Sequence, residues 1–223
     1  MSIELFKTKK IAAIIRGATP TNILPIANAL KEGGISIIEI TMETPGALKA
    51  LEILSLANDT EIVAGAGTVL DSETARTAIM SGAKFIFSPT VNPNTIQTAK
   101  RYGAISIPGA YTPTEILTAY EYGADLIKVF PASTLGTNYF KQIAGPLPHI
   151  PLMATGGIDD TNLLDYLSSG AVAVGIGSSL VNTKMELNET YFCDLTAKAK
   201  KYSDLVNKVK LQSAGVFSIP TNC

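Results

Sequence analysis

Apolar positions gather in eight short runs: IAAIIR (11–16), SIIEIT (36–41), EIVAGAG (61–67), FIFSPT (85–90), AISIPGA (104–110), LIKVFPA (126–132), PLMATGG (151–157) and AVAVGIG (171–177). Each has the length of a strand, and near-continuous apolarity marks a strand covered on both faces. Between the runs the period changes. Ile23, Ile26, Ala27 and Leu30 follow the i, i+3, i+4, i+7 spacing of a helix with one buried face. Thr19-Pro20, Thr44-Pro45, Asn92-Pro93 and Thr112-Pro113 each place a capping side chain before a proline, which predicts four helix starts. Thr112 and Glu115 have the spacing of a capping box, and Asp71 is placed to cap DSETARTAIM. Gly33, Gly82, Gly103, Gly123 and Gly170 stand where a helix would stop and a strand begin, the position where a left-handed residue is needed.

Eight strands alternating with helices predict parallel β-α units, and eight units in this length predict an α/β fold, a single (β/α)8 (TIM) barrel. An open doubly wound sheet usually carries a GxGxxG after its first strand; here that position reads IIRGATP. No linker divides the chain, so residues 1–223 read as one barrel domain, with a final helix over 185–212.

Composition narrows the partners. The 223 residues are 46% hydrophobic and 17% charged, enough for a sizeable core. Lys plus Arg total 18 against 19 Asp plus Glu, a net charge of −1 that offers no footprint for nucleic acid and no basic cluster for a membrane surface. The first ten residues lack the apolar core of a signal peptide, and no run is long enough to span a bilayer. Cys193 and Cys223 fit two free thiols in a reducing compartment, so a cytoplasmic protein is expected. His149 is the sole histidine, in the proline-flanked PLPHIPL, and reads as part of a loop before a strand rather than a metal ligand.

In a barrel of this kind the carboxyl ends of the strands form the active face. Arg16, Glu39, Thr68, Pro89, Thr90, Lys128, Gly156, Gly157 and Ser178 all fall at or near those ends. By strand alternation Ile37, Glu39 and Thr41 share one face, and Leu126, Lys128 and Phe130 share another. If both faces point inward, Glu39 and Lys128 approach each other across the upper interior. Two readings follow. One is a structural ion pair, since either charge buried alone costs several kcal/mol. The other is a nucleophilic lysine, its pKa lowered by desolvation, with a carboxylate to shuttle protons. ATGGID and GIGSS, after the last two strands, offer clustered glycines and hydroxyls of the kind that cradle a phosphate, although either alone is also a tight turn. GAGTV at 65–69 reads as a strand-to-helix turn that would bring Thr68 to the active face.

These pieces in this order, GGISIIEIT, GAGTV, FIFSP, IPG, IKVFPA, ATGGI and GIGSSL, resemble the class I aldolases of the 2-keto-3-deoxy-6-phosphogluconate and 4-hydroxy-2-oxoglutarate family over roughly residues 10–182. The resemblance implies a (β/α)8 barrel, a homotrimer, no metal and no organic cofactor, acting on a small, phosphorylated keto acid. It implies that Lys128 forms the Schiff base and Glu39 is the catalytic glutamate. Thr68 and Pro89 match pyruvate-site positions, and Arg16 an arginine of many members. Gly156, Gly157 and Ser178 match the phosphate site; Phe130 would help keep the imine dry. The implied reaction is cleavage of 2-keto-3-deoxy-6-phosphogluconate to pyruvate and glyceraldehyde 3-phosphate, and of 4-hydroxy-2-oxoglutarate to pyruvate and glyoxylate. The alternatives are a related substrate such as the phosphogalactonate isomer, or a non-catalytic phosphosugar-binding barrel. One position departs from the pattern: Glu43 stands four residues after Glu39, where several members carry an arginine. A carboxylate there either turns away from the substrate or changes what is bound, and Arg16 could supply the missing positive charge.

Overall fold

The computed structural model describes residues 2–57 and 59–214. A short helix α1 (Glu4–Lys9) precedes β1 (Ile11–Ile15), and strands and helices then alternate: α2 (Ile23–Glu32), β2 (Ile37–Thr41), α3 (Ala47–Leu56), β3 (Val63–Gly67), α4 (Ser72–Met80), β4 (Phe85–Phe87) and α5 (Pro93–Arg101). The second half holds β5 (Ile105–Ile107), β6 (Gly109–Ala110), α6 (Pro113–Glu121), β7 (Ile127–Val129), α7 (Ala132–Leu135), α8 (Thr137–Ala144), β8 (Leu152–Thr155), α9 (Leu163–Ser168), β9 (Ala171–Ile176) and α10 (Glu189–Ala214).

The strands run β5-β4-β3-β2-β1-β9-β8-β7-β6, and neighbours pair in parallel. β5 and β6 are two pieces of the fifth predicted strand, parted at Pro108, which has no N–H to give a ladder. The pieces serve opposite neighbours. Ser88 N donates to Ile107 O at 3.2 Å on the β4 side, and Lys128 N donates to Pro108 O at 2.9 Å on the β7 side. The two ends of the sheet therefore meet in one interrupted strand, and eight predicted strands form a (β/α)8 barrel.

The alternation of each strand divides its residues between two cores. Ile37, Phe85, Phe87, Leu126 and Met153 face inward, and Phe6 of α1 joins them from the amino-terminal end of the strands. Its ring stands 5.3 Å from that of Phe85 and 6.1 Å from that of Phe87, centroid to centroid. Ile38, Ile40, Ile127 and Val129 face outward against the helices. The predicted inner face of α2, Ile23, Ile26, Ala27 and Leu30, is fully buried.

Three local expectations are corrected. Thr19-Pro20 and Thr44-Pro45 do not start helices: α2 begins at Ile23 after Asn22, whose side chain accepts from Thr19 N at 2.7 Å, and α3 follows Gly46. The Thr44 hydroxyl instead accepts from Gly17 N at 3.0 Å, joining the loop after β2 to the loop after β1. At the end of α2 the left-handed residue is Gly34 (φ 90°), not Gly33 (φ −77°). Gly33 is glycine for another reason, since a Cβ there would lie 2.4 Å from Ala199 Cβ on α10. The last helix starts at Glu189 rather than 185. Asp71, Asn92 and the Thr112–Glu115 box cap α4, α5 and α6 as predicted. His149 lies before β8, edge-on to Tyr120, and Cys193 is a free thiol; Cys223 lies outside the described residues. Among the described residues no helix is long and apolar enough to cross a membrane.

Candidate active site

Glu39 projects from the inner face of β2, in register with Gly65 of β3, and is 1% exposed. Gly67 makes room for it: a Cβ on Gly67 would fall 1.5 Å from Glu39 Oε1. The second glycine of GAGTV is thus the space in which the carboxylate lies. Lys128 projects inward from β7 and is 5% exposed, with Nζ 4.9 Å from the ring centre of Phe130 and 5.5 Å from that of Phe87.

Burial moves the two groups toward each other. It pushes the Glu39 carboxyl up from 4.5 to about 7, although the charges of Lys128 and Arg16 work the other way. It pushes Lys128 below its usual 10.5, against the raising effect of Glu39 and with some help from Arg16. Lys128 acts on Glu39 through its charge, not through a hydrogen bond, and Glu39 Oε2 is buried with no hydrogen-bond partner among the described residues. The arrangement suits an amine that must lose its proton to become a nucleophile, and a carboxyl that can both give and take one near neutral pH.

A cavity of about 250 Å³ opens at Phe130, the ring nearest Lys128, and is lined also by Arg16, Thr155, Gly156, Gly157 and Ser178 among others; neither Lys128 nor Glu39 lines it. It brings together the two glycine loops picked out in the sequence. Gly156 and Gly157 have φ of 96° and 74°, which a side chain would adopt only with strain. Ser179 Oγ donates to Ile158 O at 2.6 Å and ties the second loop to the first. Thr155 was not foreseen as a site residue: it is 3% exposed, and its hydroxyl has no partner among the described residues. The available signal was a hydroxyl in the middle of the apolar run PLMATGG. Thr68, with φ 57°, follows β3, and Pro89 follows β4; neither lines this cavity.

Glu43 turns onto Arg16, which donates from Nη1 to its carboxylate. The positive charge that Arg16 could have supplied is therefore already engaged. The carbonyl of Arg16 accepts from the Thr183 hydroxyl at 2.6 Å, so the stretch between β9 and α10 steadies the arginine. Among the described residues no group of three or more His, Cys, Asp or Glu is placed to hold a metal.

The sequence model of the KDPG and KHG aldolases matches residues 3–192. This chain belongs to that family. The aldolase is 34% identical over 182 residues to a probable 2-dehydro-3-deoxy-6-phosphogalactonate aldolase of Rhizobium meliloti, with 81% of this chain and 86% of the relative covered. It is also 34% identical over 184 residues to the 2-dehydro-3-deoxy-phosphogluconate aldolase of Haemophilus influenzae, with 82% and 86% covered. Among solved structures, the KDPG aldolase of Legionella pneumophila, with pyruvate captured as a covalent carbinolamine intermediate, superposes with a TM-score of 0.81 at 29% identity, covering 88% of this chain and 95% of the other. Family membership makes the protein a carbon–carbon lyase of the class I aldolase type.

Proposed function

We propose that the aldolase cleaves 2-keto-3-deoxy-6-phosphogluconate to pyruvate and glyceraldehyde 3-phosphate through a Schiff base on Lys128, and takes 4-hydroxy-2-oxoglutarate as a shorter substrate. The observation that carries this reading is the buried Glu39–Lys128 pair, with the two pKa values drawn together beside a glycine-lined cavity.

Neutral Lys128 attacks the C2 ketone. Glu39 in its acid form gives the proton with which the carbinolamine hydroxyl leaves as water, and an iminium ion remains. Glu39, now a carboxylate, takes the C4 hydroxyl proton, directly or through a water. The C3–C4 bond breaks, its electrons pass into the iminium, and the aldehyde departs. The enamine takes at C3 the proton that Glu39 now holds, and water hydrolyses the resulting iminium to pyruvate and free Lys128, the released proton returning to Glu39. Thr68 and Arg16 hold the carboxylate of the pyruvate half, and Pro89 and Phe130 keep the imine dry. Gly156, Gly157 and Ser178 take the distal phosphate through amides and a hydroxyl.

Borohydride reduction in the presence of pyruvate, read by intact mass and peptide mapping, tests the chemistry. A pyruvate-derived adduct on Lys128 supports it; no adduct, with pyruvate shown to bind, overturns it. The Rhizobium relative favours the phosphogalactonate isomer as a second reading. Comparing kcat/KM on the two isomers decides between them. The same reading makes the protein a homotrimer, in keeping with the exposed Leu70, Met80 and Tyr102 around the neighbouring helices α4 and α5.

A further inference from the structure

Arg16 lines the same cavity as Gly156, Gly157 and Ser178, so its guanidinium is within the region a substrate would enter. It does not wait there uncommitted, because its Nη1 donates to the Glu43 carboxylate. The surroundings of Glu43 are those of a bound anion. Partial burial works to raise its pKa, but the polar groups around it, the Arg16 guanidinium among them, outweigh that, and the carboxyl stays below the ordinary range. Thr68 and Arg16 are the two groups assigned above to the carboxylate of the keto acid. The side chain of this chain's own Glu43 therefore holds one of the donors that the substrate needs.

We propose that Glu43 is an internal competitor for the substrate's carboxylate: it holds the Arg16 guanidinium, and the keto acid must displace it to bind. The proposal rests on the Schiff-base reading above and adds a residue that sets affinity without touching the reacting carbons. A fixed carboxylate in that position charges every keto acid the same cost, whatever its distal group. Glu43 thus acts on the pyruvate half of the site and leaves discrimination between aldehydes to the glycine loops. The pair is largely solvent-exposed, which keeps the barrier to displacement small, because water and salt screen exposed ion pairs.

The test is a titration of pyruvate against borohydride-trapped adduct, with steady-state cleavage kinetics beside it, for the wild type, Glu43→Gln and Glu43→Ala. Half-saturating pyruvate and KM are expected to fall about two- to fivefold in both variants, the range that exposed-pair energetics allow. A second arm removes the arginine. In an Arg16→Ala background, Glu43→Ala is expected to give no gain, because the donor it would free is gone. Half-saturation that stays constant or rises in both Glu43 variants, while the adduct still forms on Lys128, overturns the proposal. So does a gain that survives the loss of Arg16, which would then come from lost repulsion alone. Absence of the adduct in the wild type is a different result, and it strikes the Schiff-base reading itself.

Discussion

Lys128 and Glu39 divide the proposed chemistry between a nucleophile and a proton carrier, and each can be removed separately. Lys128→Ala takes away the only amine in the pair, so turnover and the borohydride adduct are both expected to vanish while the far-ultraviolet circular dichroism stays that of the wild type. An adduct on any other lysine at the wild-type rate would move the nucleophile elsewhere. Glu39→Gln retains shape and hydrogen bonding but neither gives nor takes a proton, and kcat is expected to fall about 10²–10⁴-fold, the usual contribution of general acid–base catalysis. Stopped-flow single-turnover rates would show it. Both residues were legible in the sequence, because a charge inside an apolar strand is rare and alternation gives its direction. Thr155 and Gly67 were not. The first is a small hydroxyl that an apolar run tolerates without remark. The second is defined by the Glu39 carboxylate that fills its missing Cβ, a relation between β2 and β3 that neither strand displays alone.

Among the elements, the helices were read correctly where their caps are local. Thr112 and Glu115 form the capping box of α6 with each other, and Asn92 caps α5 through the amides two and three residues on. Thr112→Ala is accordingly expected to cost about 1 kcal/mol of stability, a typical value for a lost cap, measurable as a shift in the urea midpoint with an unchanged slope. Thr19 and Thr44 carry the same Thr-Pro signal and start no helix. The hydroxyl of Thr44 is taken by Gly17 N from another loop, and no local pattern encodes that partner. Gly33 shows the same limit. Its position suggested a helix end, but its smallness is demanded by Ala199 and the backbone of α10, more than 160 residues away in the chain. The break at Pro108 lay inside a run that reads as one strand, and proline there was visible; what was not visible is that its two halves would serve different neighbours.

At the scale of the whole molecule, the raised Glu39 pKa couples folding to pH. The carboxyl holds its proton up to about 7 in the fold and only to 4.5 as an unperturbed group. The folded state therefore binds more protons at this group between those values, and the contribution of Glu39 to stability falls as pH rises through that window. Glu39→Gln removes the coupling. The variant is expected to gain on the wild type by of order 2–3 kcal/mol between pH 5 and pH 8, from the size of the displacement, and urea unfolding at the two pH values would measure it. A wild type that gains on the variant over the same range would show the sign to be wrong. The proposed trimer is checked by analytical ultracentrifugation, where the mass should be three times the 23.5 kDa of one chain.

The barrel was legible as a whole because eight strand-length runs at regular spacing admit few other folds, but its floor was not. Residues 1–10 look only like a polar start to the chain, and nothing in them announces that Phe6 will enter the barrel. Phe6, Phe85 and Phe87 touch one another below the lysine and plug that end of the barrel, like the base of a flask. Under the proposed chemistry, the water that ends the cycle has to come in by the route through which the aldehyde goes out. While the aldehyde and its phosphate still stand in the neck, the water that hydrolyses the iminium has no way in. The sequence of departures, aldehyde first and pyruvate last, is then a matter of plumbing.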